Sequence, residues 1–171
     1  MQDIVPMIRV ECHSALCGDT PIIMDNEIVT MAQVFMAHSA TNLNSMALNS
    51  KGAVVNTHIM EIPQEITIPE SVRIQLHYGL EFECSPGTLI LTREGFKEAQ
   101  NINKEDILDL IMFDYESGKV HLEDAIVSNI EKSSIIQVAK KAYIFISEHN
   151  NVLIPYYKEG SNHIGFICIK Q

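Results

Sequence analysis

The chain has 171 residues, 46% of them hydrophobic, and a formal net charge of −10 at pH 7. That length can bury one sizeable core, as one domain or as two small ones. Only 12 lysines and arginines are present and they form no basic cluster, which argues against a nucleic acid partner. The sequence has neither a run of about 18 apolar residues nor a secretion signal at Met1, so we expect no membrane partner and a location in the reducing cytoplasm.

The four cysteines are expected to remain thiols, because that compartment does not favour disulfides. Cys84 and Cys168 are interpreted as small apolar side chains of the core. Cys12, His13 and Cys17 could begin a zinc site, but no second closely spaced pair of ligands follows. We therefore expect no metal and no cofactor.

The first predicted elements are a strand and a short helix. Ile22–Met24 is predicted as a strand, and Thr30 or Asn26 could cap the helix that follows. Its apolar positions would be Met31, Val34 and Phe35, with His38 near its end. The segment Ser39–Ser50, rich in Asn and Ser, is interpreted as an exposed loop.

The remainder of the chain is dominated by short apolar segments with strand character. Val72–His77 and Leu80–Cys84 alternate apolar and polar residues around Tyr78-Gly79, which predicts a hairpin. Asn103 is a candidate cap for a second short helix, Glu105–Leu110. The other predicted strands are Val54–Ile62, Leu89–Thr92, Ala125–Ile130, Ile135–Val138, Tyr143–Ser147, Val152–Ile154 and Ile164–Ile169. Such frequent short strands indicate a mainly β body, a sandwich or barrel.

Two segments of the chain are similar to each other. Thr20-Pro21-Ile22-Ile23 precedes Ala32-Gln33, much as Thr88-Leu89-Ile90-Leu91 precedes Ala99-Gln100. The sequence offset between the two threonines is longer by one than the offset between the two Ala-Gln pairs, which suggests one deletion. Two copies of one β-unit would explain this spacing.

These segments resemble motifs of the Hint superfamily, the hedgehog and intein self-processing domains. That family opens on a pattern like Cys-Leu-x-x-Asp-Thr-x-Val, and Cys17-Gly18-Asp19-Thr20-Pro21-Ile22 is similar to it. The second family motif, Val-Thr-x-x-His-Pro-x-Leu-Thr-x-x-Gly, resembles Cys84–Gly95. A later motif, in which a strand leads into His-Asn-Phe, is similar to Ala142–Val152 and includes His149.

The resemblance implies a mainly β, compact horseshoe of short strands from two pseudo-symmetric β-units, with one or two short helices. Residues 17–171 would form this single domain, and residues 1–16 would be an N-terminal extension packed on it. Five apolar residues support such packing of the extension: Ile4, Val5, Met7, Ile8 and Val10.

The resemblance also assigns candidate catalytic residues, and the departures from the family pattern bear on activity. Cys17 would be a vestigial nucleophile, and Ser85 replaces the motif threonine. Thr88 stands where the motif histidine would protonate the departing amide nitrogen, a function that a threonine hydroxyl cannot perform near neutral pH. Inteins end in His-Asn before Cys, Ser or Thr, whereas this sequence ends in Ile169-Lys170-Gln171, so we expect no splicing.

The sequence leaves three functions open. The first is an inactive Hint-like domain that acts as a structural or interaction protein in a larger assembly, for example a phage virion, with other protein subunits or copies of itself as partners. The second is slow self-cleavage at Leu16–Cys17, with His149 or His77 as the acid. The third is an unrelated β-rich binding domain.

Overall fold

The computed structural model describes residues 14–36, 44–77, 80–134, 140–159 and 163–170. Nearly all regular elements in these ranges are strands, and the described helix is too short to cross a bilayer. In chain order the elements are β1 (Leu16–Cys17), β2 (Pro21–Met24), β3 (Glu27–Thr30), α1 (Met31–Met36), β4 (Asn44–Leu48), β5 (Val54–Ile68), β6 (Glu70–Leu76), β7 (Glu81–Cys84), β8 (Leu89–Thr92), β9 (Gly95–Glu98), a 3-10 turn (Ala99–Asn101), β10 (Ile107–Asp114), β11 (Val120–Ser134), β12 (Lys140–Ser147), β13 (Asn151–Glu159) and β14 (His163–Lys170).

Most strand predictions are confirmed, and the strands are often longer than the apolar segments that indicated them. The predicted hairpin is present as β6 and β7, paired from Val72 opposite Cys84 to Gln75 opposite Glu81. Cys84 and Cys168 are buried in the core, as expected. The predicted strand Ile135–Val138 lies outside the described residues.

The first predicted helix is confirmed, and its N-terminus is a capping box. The Gln33 N–H donates to Thr30 Oγ1 at 3.2 Å, and the Thr30 N–H donates to Gln33 Oε1 at 2.8 Å. This reciprocal pair satisfies two amide groups that the first turn would leave without partners. His38, which the prediction included, lies outside the described residues.

Two local predictions are wrong because strand pairing overrides them. Asn103 begins a turn in which Asp106 N–H donates to its carbonyl, and the chain then enters β10 instead of a helix. Along β10, Leu108, Leu110 and Met112 face the core, a period of two that suits its pairing with β11. The described part of the predicted loop Ser39–Ser50 contains β4, which pairs with β5.

The strands form one 12-stranded sheet in the order β13-β14-β8-β10-β11-β6-β7-β1-β12-β5-β4, with β9 beside β8, and a separate β2–β3 hairpin. An asparagine side chain links the two terminal strands of this order. Asn151 Oδ1 accepts from the Leu48 N–H, and Asn151 Nδ2 donates to the carbonyls of Leu48 and His149, at 2.9 to 3.0 Å. The Asn151 side chain therefore makes the hydrogen bonds to the Leu48 backbone that a neighbouring strand would otherwise make.

Two β-units within the described chain are related by a constant sequence offset, which is the offset between Thr20 and Thr88. Each unit is a hairpin, β2–β3 or β8–β9, followed by a helical turn. Met31 N–H donates to the Thr20 carbonyl at 3.0 Å, and Ala99 N–H donates to the Thr88 carbonyl at 2.8 Å. Met31 and Ala99 are thus related by the same offset as the two threonines. The predicted deletion is wrong, because Ala99 corresponds to Met31 and not to Ala32.

We predict that replacing Asn151 by aspartate destabilises the fold. Aspartate keeps the acceptor for the Leu48 N–H but removes the donor and turns a negative charge toward two carbonyls. The expected loss is about 2–3 kcal/mol in the free energy of unfolding, measured by urea denaturation at pH 7. Asn129→Asp, at an exposed position, is the control. Equal losses in the two variants would contradict this role for Asn151.

Candidate functional site

The site lies where the two units meet, at the pairing of β1 with β7. Leu16 is directly opposite Cys84, and these two residues are related by the same offset as Thr20 and Thr88. An antiparallel pair centred on equivalent residues places the residue before Leu16 beside the residue after Cys84. Accordingly, the Ser85 N–H donates to the Ala15 carbonyl at 2.9 Å.

Two hydroxyl groups, called here the hydroxyl cradle, hold the backbone of Ala15. Ser85 Oγ and Thr88 Oγ1 are 2.9 Å apart, and each accepts from the Ala15 N–H at 3.2 Å. Thr88 Oγ1 also approaches the Ala15 carbonyl at 3.3 Å, where it can donate. All three residues are at most 1% exposed. The cradle therefore binds the peptide group that joins Ser14 to Ala15, in a place shielded from water.

The residue before Ala15 is also fixed. Ser14 Oγ accepts from the Leu89 N–H at 3.0 Å and donates to the Lys170 carbonyl. Ser14 thus bridges the start of β8 and the end of β14, two strands that pair there. The chain entering β1 is consequently held at two successive residues.

Cys17, the predicted nucleophile, lies two residues beyond the cradle. It is opposite Ala142 in β12, is 5% exposed, and packs in a small apolar cluster with Ala15 and Ile68. When the two units are compared, Cys17 is the counterpart of Ser85. The carbonyl of each residue accepts a hydrogen bond from the N–H of the threonine three residues later. The structure therefore brings Ser85 and Thr88 together around Ala15, and the N–H that they bind is not that of Cys17.

The two threonines that correspond by pseudo-symmetry have different surroundings. Thr88 Oγ1 hydrogen-bonds to Ala15 and Ser85, whereas the buried Thr20 Oγ1 has no hydrogen-bond partner among the described residues. A buried hydroxyl without a partner costs free energy. Only the Thr88 hydroxyl of this pair therefore contributes hydrogen bonds to the fold.

The thiol beside the cradle is held in its protonated form. Burial raises the pKa of Cys84, a hydrogen bond with Thr88 opposes this in part, and Cys84 Sγ lies 3.8 Å from the Val72 carbonyl. A neutral, buried thiol is a poor nucleophile. The cradle and its neighbouring thiol therefore supply hydrogen bonds, and neither supplies a group that exchanges a proton near pH 7.

An ion-pair network fixes the hairpin that carries Ser85. Arg73 on β6 makes two contacts to the Glu81 carboxylate, at 3.1 and 3.0 Å, and one to Glu83 at 3.0 Å. The hydrogen bond from Arg73 lowers the pKa of Glu81 to about 2. The buried Glu83 carboxylate also accepts from the Ser71 hydroxyl, so its charge has two partners.

The histidines proposed as substitute acids lie elsewhere in the fold. His149 follows β12, and its Nδ1 is 3.0 Å from Thr57 Oγ1. Ser147 lies five positions along β12 from Ala142, the partner of Cys17, which corresponds to about 16 Å along a strand. His77 is five residues beyond Val72, the partner of Cys84, and is therefore similarly distant.

Sequence reasoning missed Ala15, although the opening motif contained a signal for it. In the pattern Cys-Leu-x-x-Asp-Thr-x-Val, the second position is leucine. Aligning that position with Leu16 also matches Asp19, Thr20 and Ile22, and it puts Ala15 in the place of the cysteine. No group of three or more His, Cys, Asp or Glu side chains in the described ranges could hold a metal ion.

Comparison with known proteins identifies the fold. No protein-family model and no curated protein matches the chain. A bacterial intein-like domain from Clostridium thermocellum is similar over 92% of this chain and 98% of its own, with a TM-score of 0.65 and 14% identity. An intein from a hyperthermophile is similar over 92% of this chain and 99% of its own, with a TM-score of 0.66 and 19% identity. A DnaB intein from Synechocystis sp. PCC 6803 is similar over 92% of this chain and 99% of its own, with a TM-score of 0.65 and 10% identity. The expected Hint-like fold is confirmed.

We predict that the two corresponding threonines respond differently to valine. Thr88→Val keeps the shape but removes hydrogen bonds to Ala15 and Ser85, and we expect a loss of about 1–3 kcal/mol in the free energy of unfolding. Thr20→Val, the matched control, removes an unpartnered hydroxyl and should be neutral or stabilising. Urea denaturation of both variants measures this difference, and equal losses would contradict the structural use of Thr88.

We also predict a loss of stability at alkaline pH. Burial raises the pKa of Cys168 from 9.0 to about 12, so the folded state binds this proton more tightly than the unfolded state does. The resulting stability is complete below pH 9 and is lost as the pH rises toward 12. Each such thiol contributes a slope of up to about 1.4 kcal/mol per pH unit.

The variant Cys168→Ala isolates this contribution. Between pH 9 and 11 its free energy of unfolding should fall less steeply than that of the wild-type chain, whatever its stability at pH 7. Chemical denaturation at several pH values gives both slopes. Identical slopes would show that the Cys168 thiol does not titrate as its burial requires.

Proposed function

We propose that this chain, which has the intein-like fold, is a Hint-like domain without self-processing activity that acts as a structural or interaction protein in a larger protein assembly. One observation carries the proposal: the hydroxyl cradle of Ser85 and Thr88 holds the peptide group before Ala15. Among the described residues, neither the nucleophile nor the acid that the chemistry requires is found there.

The first missing group is the nucleophile. Conversion of a peptide bond into a thioester or ester needs a sulfur or oxygen on the side chain of the residue that follows the bond. Ala15 follows the peptide bond in the cradle, and its methyl group offers neither atom. The resemblance to the family motif, with Leu16 at the second position, assigns Ala15 to the place of the family cysteine.

The second missing group is the acid that protonates the departing amide nitrogen. Thr88 occupies the place of the motif histidine, and its hydroxyl has no pKa near neutrality. A positioned general acid typically contributes about 10²–10⁴-fold to a rate. What remains is a set of hydrogen bonds that retains residues 14 and 15 in the fold.

An interaction role is supported by the surface of the domain. Six large hydrophobic side chains are exposed in the described part of the chain: Ile28, Met36, Phe96, Tyr115, Leu122 and Ile126. Exposed apolar side chains are candidates for contact with other proteins. The proposed partners are subunits of an assembly or further copies of this chain, in the cytoplasm or, if a phage encodes the chain, in a virion.

The alternative is slow self-cleavage at Leu16–Cys17, favoured by the reduced Cys17 thiol close to the cradle. It requires an acid beside the Cys17 amide. His149 and His77 are each separated from the β1 pairings by about 16 Å of strand, which argues against both as that acid.

The test is intact-mass measurement after long incubation with dithiothreitol. The wild-type chain should remain whole, because the part of the chain that the structure describes places neither a nucleophile nor an acid at the cradle. A fragment beginning at Cys17 would overturn the proposal and support the alternative.

A gain-of-function variant tests the assignment of Ala15. Ala15→Cys combined with Thr88→His restores both groups at the cradle, and we expect thiol-dependent cleavage between Ser14 and position 15. Ala15→Cys alone is the control and should cleave at least about tenfold more slowly. Circular dichroism establishes that each variant is folded. A folded double variant that remains whole would contradict the assignment of Ala15.

A further inference from the structure

The two units expose equivalent side chains on equivalent strands. Ile28 on β3 and Phe96 on β9 are 59% and 41% exposed, and they are related by the same sequence offset as Thr20 and Thr88. Along both strands the first two residues are exposed and the last two are half-buried. Each unit therefore presents an exposed apolar side chain at the same position of its hairpin.

Each of these strands has an edge without a strand neighbour. β3 pairs with β2 and β9 pairs with β8, and in the described ranges neither strand has a second neighbour in a sheet. The outer edge of a strand carries backbone N–H and C=O groups that can pair with another strand. The outer edges of β3 and β9 are therefore candidate sites for the addition of a strand.

A hydrogen bond at the base of the first hairpin shows which backbone groups point outward. The Met31 N–H donates to the Thr20 carbonyl, and pairs in an antiparallel ladder alternate between hydrogen-bonded and non-hydrogen-bonded. Counted along the register from this bond, Ile28 falls in a non-hydrogen-bonded pair, so its N–H and C=O point away from β2. The count also directs the Thr30 N–H outward, where a side chain of α1 accepts its hydrogen bond.

The second hairpin has the same geometry. The Ala99 N–H donates to the Thr88 carbonyl, and the same count places Phe96, opposite Leu91, in a non-hydrogen-bonded pair. The N–H and C=O of Phe96 therefore point away from β8. Both edges combine two outward backbone groups with an exposed apolar side chain, and an added strand would use both features.

The charges beside the two apolar residues make the two edges complementary to each other. In an antiparallel pairing with Ile28 opposite Phe96, Glu27 lies opposite Lys97, and opposite charges at such positions are stabilising. Lys97 Nζ already lies 3.2 Å from the Asp106 carboxylate. An ammonium group has three donors, so Lys97 can bind both carboxylates.

Neither edge is equally suited to a copy of itself. A pairing of β9 with a second β9, centred on Phe96, would put Glu94 opposite Glu98, and like charges at such positions are destabilising. A pairing of β3 with a second β3 would put Glu27 opposite Val29, which forms no ion pair. This difference favours the unlike edge of a second copy of the chain as the partner of each edge.

We propose that copies of this chain associate head to tail, with β3 of one copy paired antiparallel with β9 of the next. Ile28 then lies opposite Phe96, and Glu27 lies opposite Lys97. A contact between two different surfaces continues from copy to copy, as a ring or a filament. This partner assignment rests on the proposed function of the chain, because it names the subunit with which the domain assembles. Strands of four residues form a small contact, so the association depends on protein concentration.

Mixing two blocked variants tests the head-to-tail pairing. Ile28→Pro and Phe96→Pro each remove one outward N–H and leave the N–H groups of the hairpin's own ladder in place. In sedimentation velocity the wild-type chain should associate as its concentration rises, and each variant alone should stay monomeric. Their equimolar mixture should form a dimer, because one intact edge of each kind remains. Association of either variant alone, or a monomeric wild type or mixture, would overturn the proposal.

Threonine variants provide a second measurement that does not depend on proline. Ile28→Thr should weaken the association about threefold or more, because less apolar area is buried. Leu122→Thr on β11 is the matched control and should leave the association unchanged, since Ile28 and Leu122 are almost equally exposed, at 59% and 58%. Circular dichroism establishes that every variant is folded. Equal effects of the two threonine variants would contradict the placement of the contact at β3.

Intact-mass measurement on the same samples separates this proposal from the proposed function. A chain that stays whole but monomeric would contradict the head-to-tail pairing and leave the absence of self-processing unaffected. A fragment beginning at Cys17 would contradict the proposed function, whether or not the copies associate.

Discussion

The short antiparallel contact between β1 and β7 is the interaction on which the rest of the structure depends. Leu16 and Cys84 are opposite each other and are related by the same sequence offset as Thr20 and Thr88, so this contact joins the two units. β1 also pairs with β12, which makes this short strand an interior member of the large sheet. Its backbone is buried, and buried peptide groups require hydrogen-bond partners. Ser14 and Ala15, which lead into β1, have such partners in Leu89, Lys170, Ser85 and Thr88.

This constraint supports the proposal that the chain, which has an intein-like fold, acts as a structural protein. A reaction centre needs a nucleophile and a group that exchanges protons, whereas a buried strand needs only neutral donors and acceptors. Ser85 and Thr88 meet the second requirement, since their hydroxyls bind the Ala15 peptide group without a change of charge. Burial keeps the neighbouring Cys84 thiol protonated. Hydrogen bonds that would position a peptide for cleavage can thus retain it instead.

The two units have equivalent backbone hydrogen bonds, but equivalent side chains in them make different hydrogen bonds. The carbonyls of Thr20 and Thr88 accept equivalent hydrogen bonds from backbone N–H groups of the helical turns that follow the two hairpins. Of the two, only Thr88 finds partners for its hydroxyl, because the chain entering β1 runs beside it. Ser14, the residue before Ala15, bridges the start of β8 and the end of β14.

Local sequence determined most strands, the capping box at Thr30 and the existence of two related units, because alternation, capping and turn residues act over a few neighbours. It also indicated Ser85 and Thr88 as site residues. Tertiary structure decided which residue they hold, since Ala15 reaches the cradle only through the register of β1 and β7, two strands that are far apart in the sequence. It also turned the segment after Asn103 into a strand, because β11 offered a hydrogen-bonded edge. A register between distant strands depends on packing of the whole sheet, and no short segment of sequence contains that information.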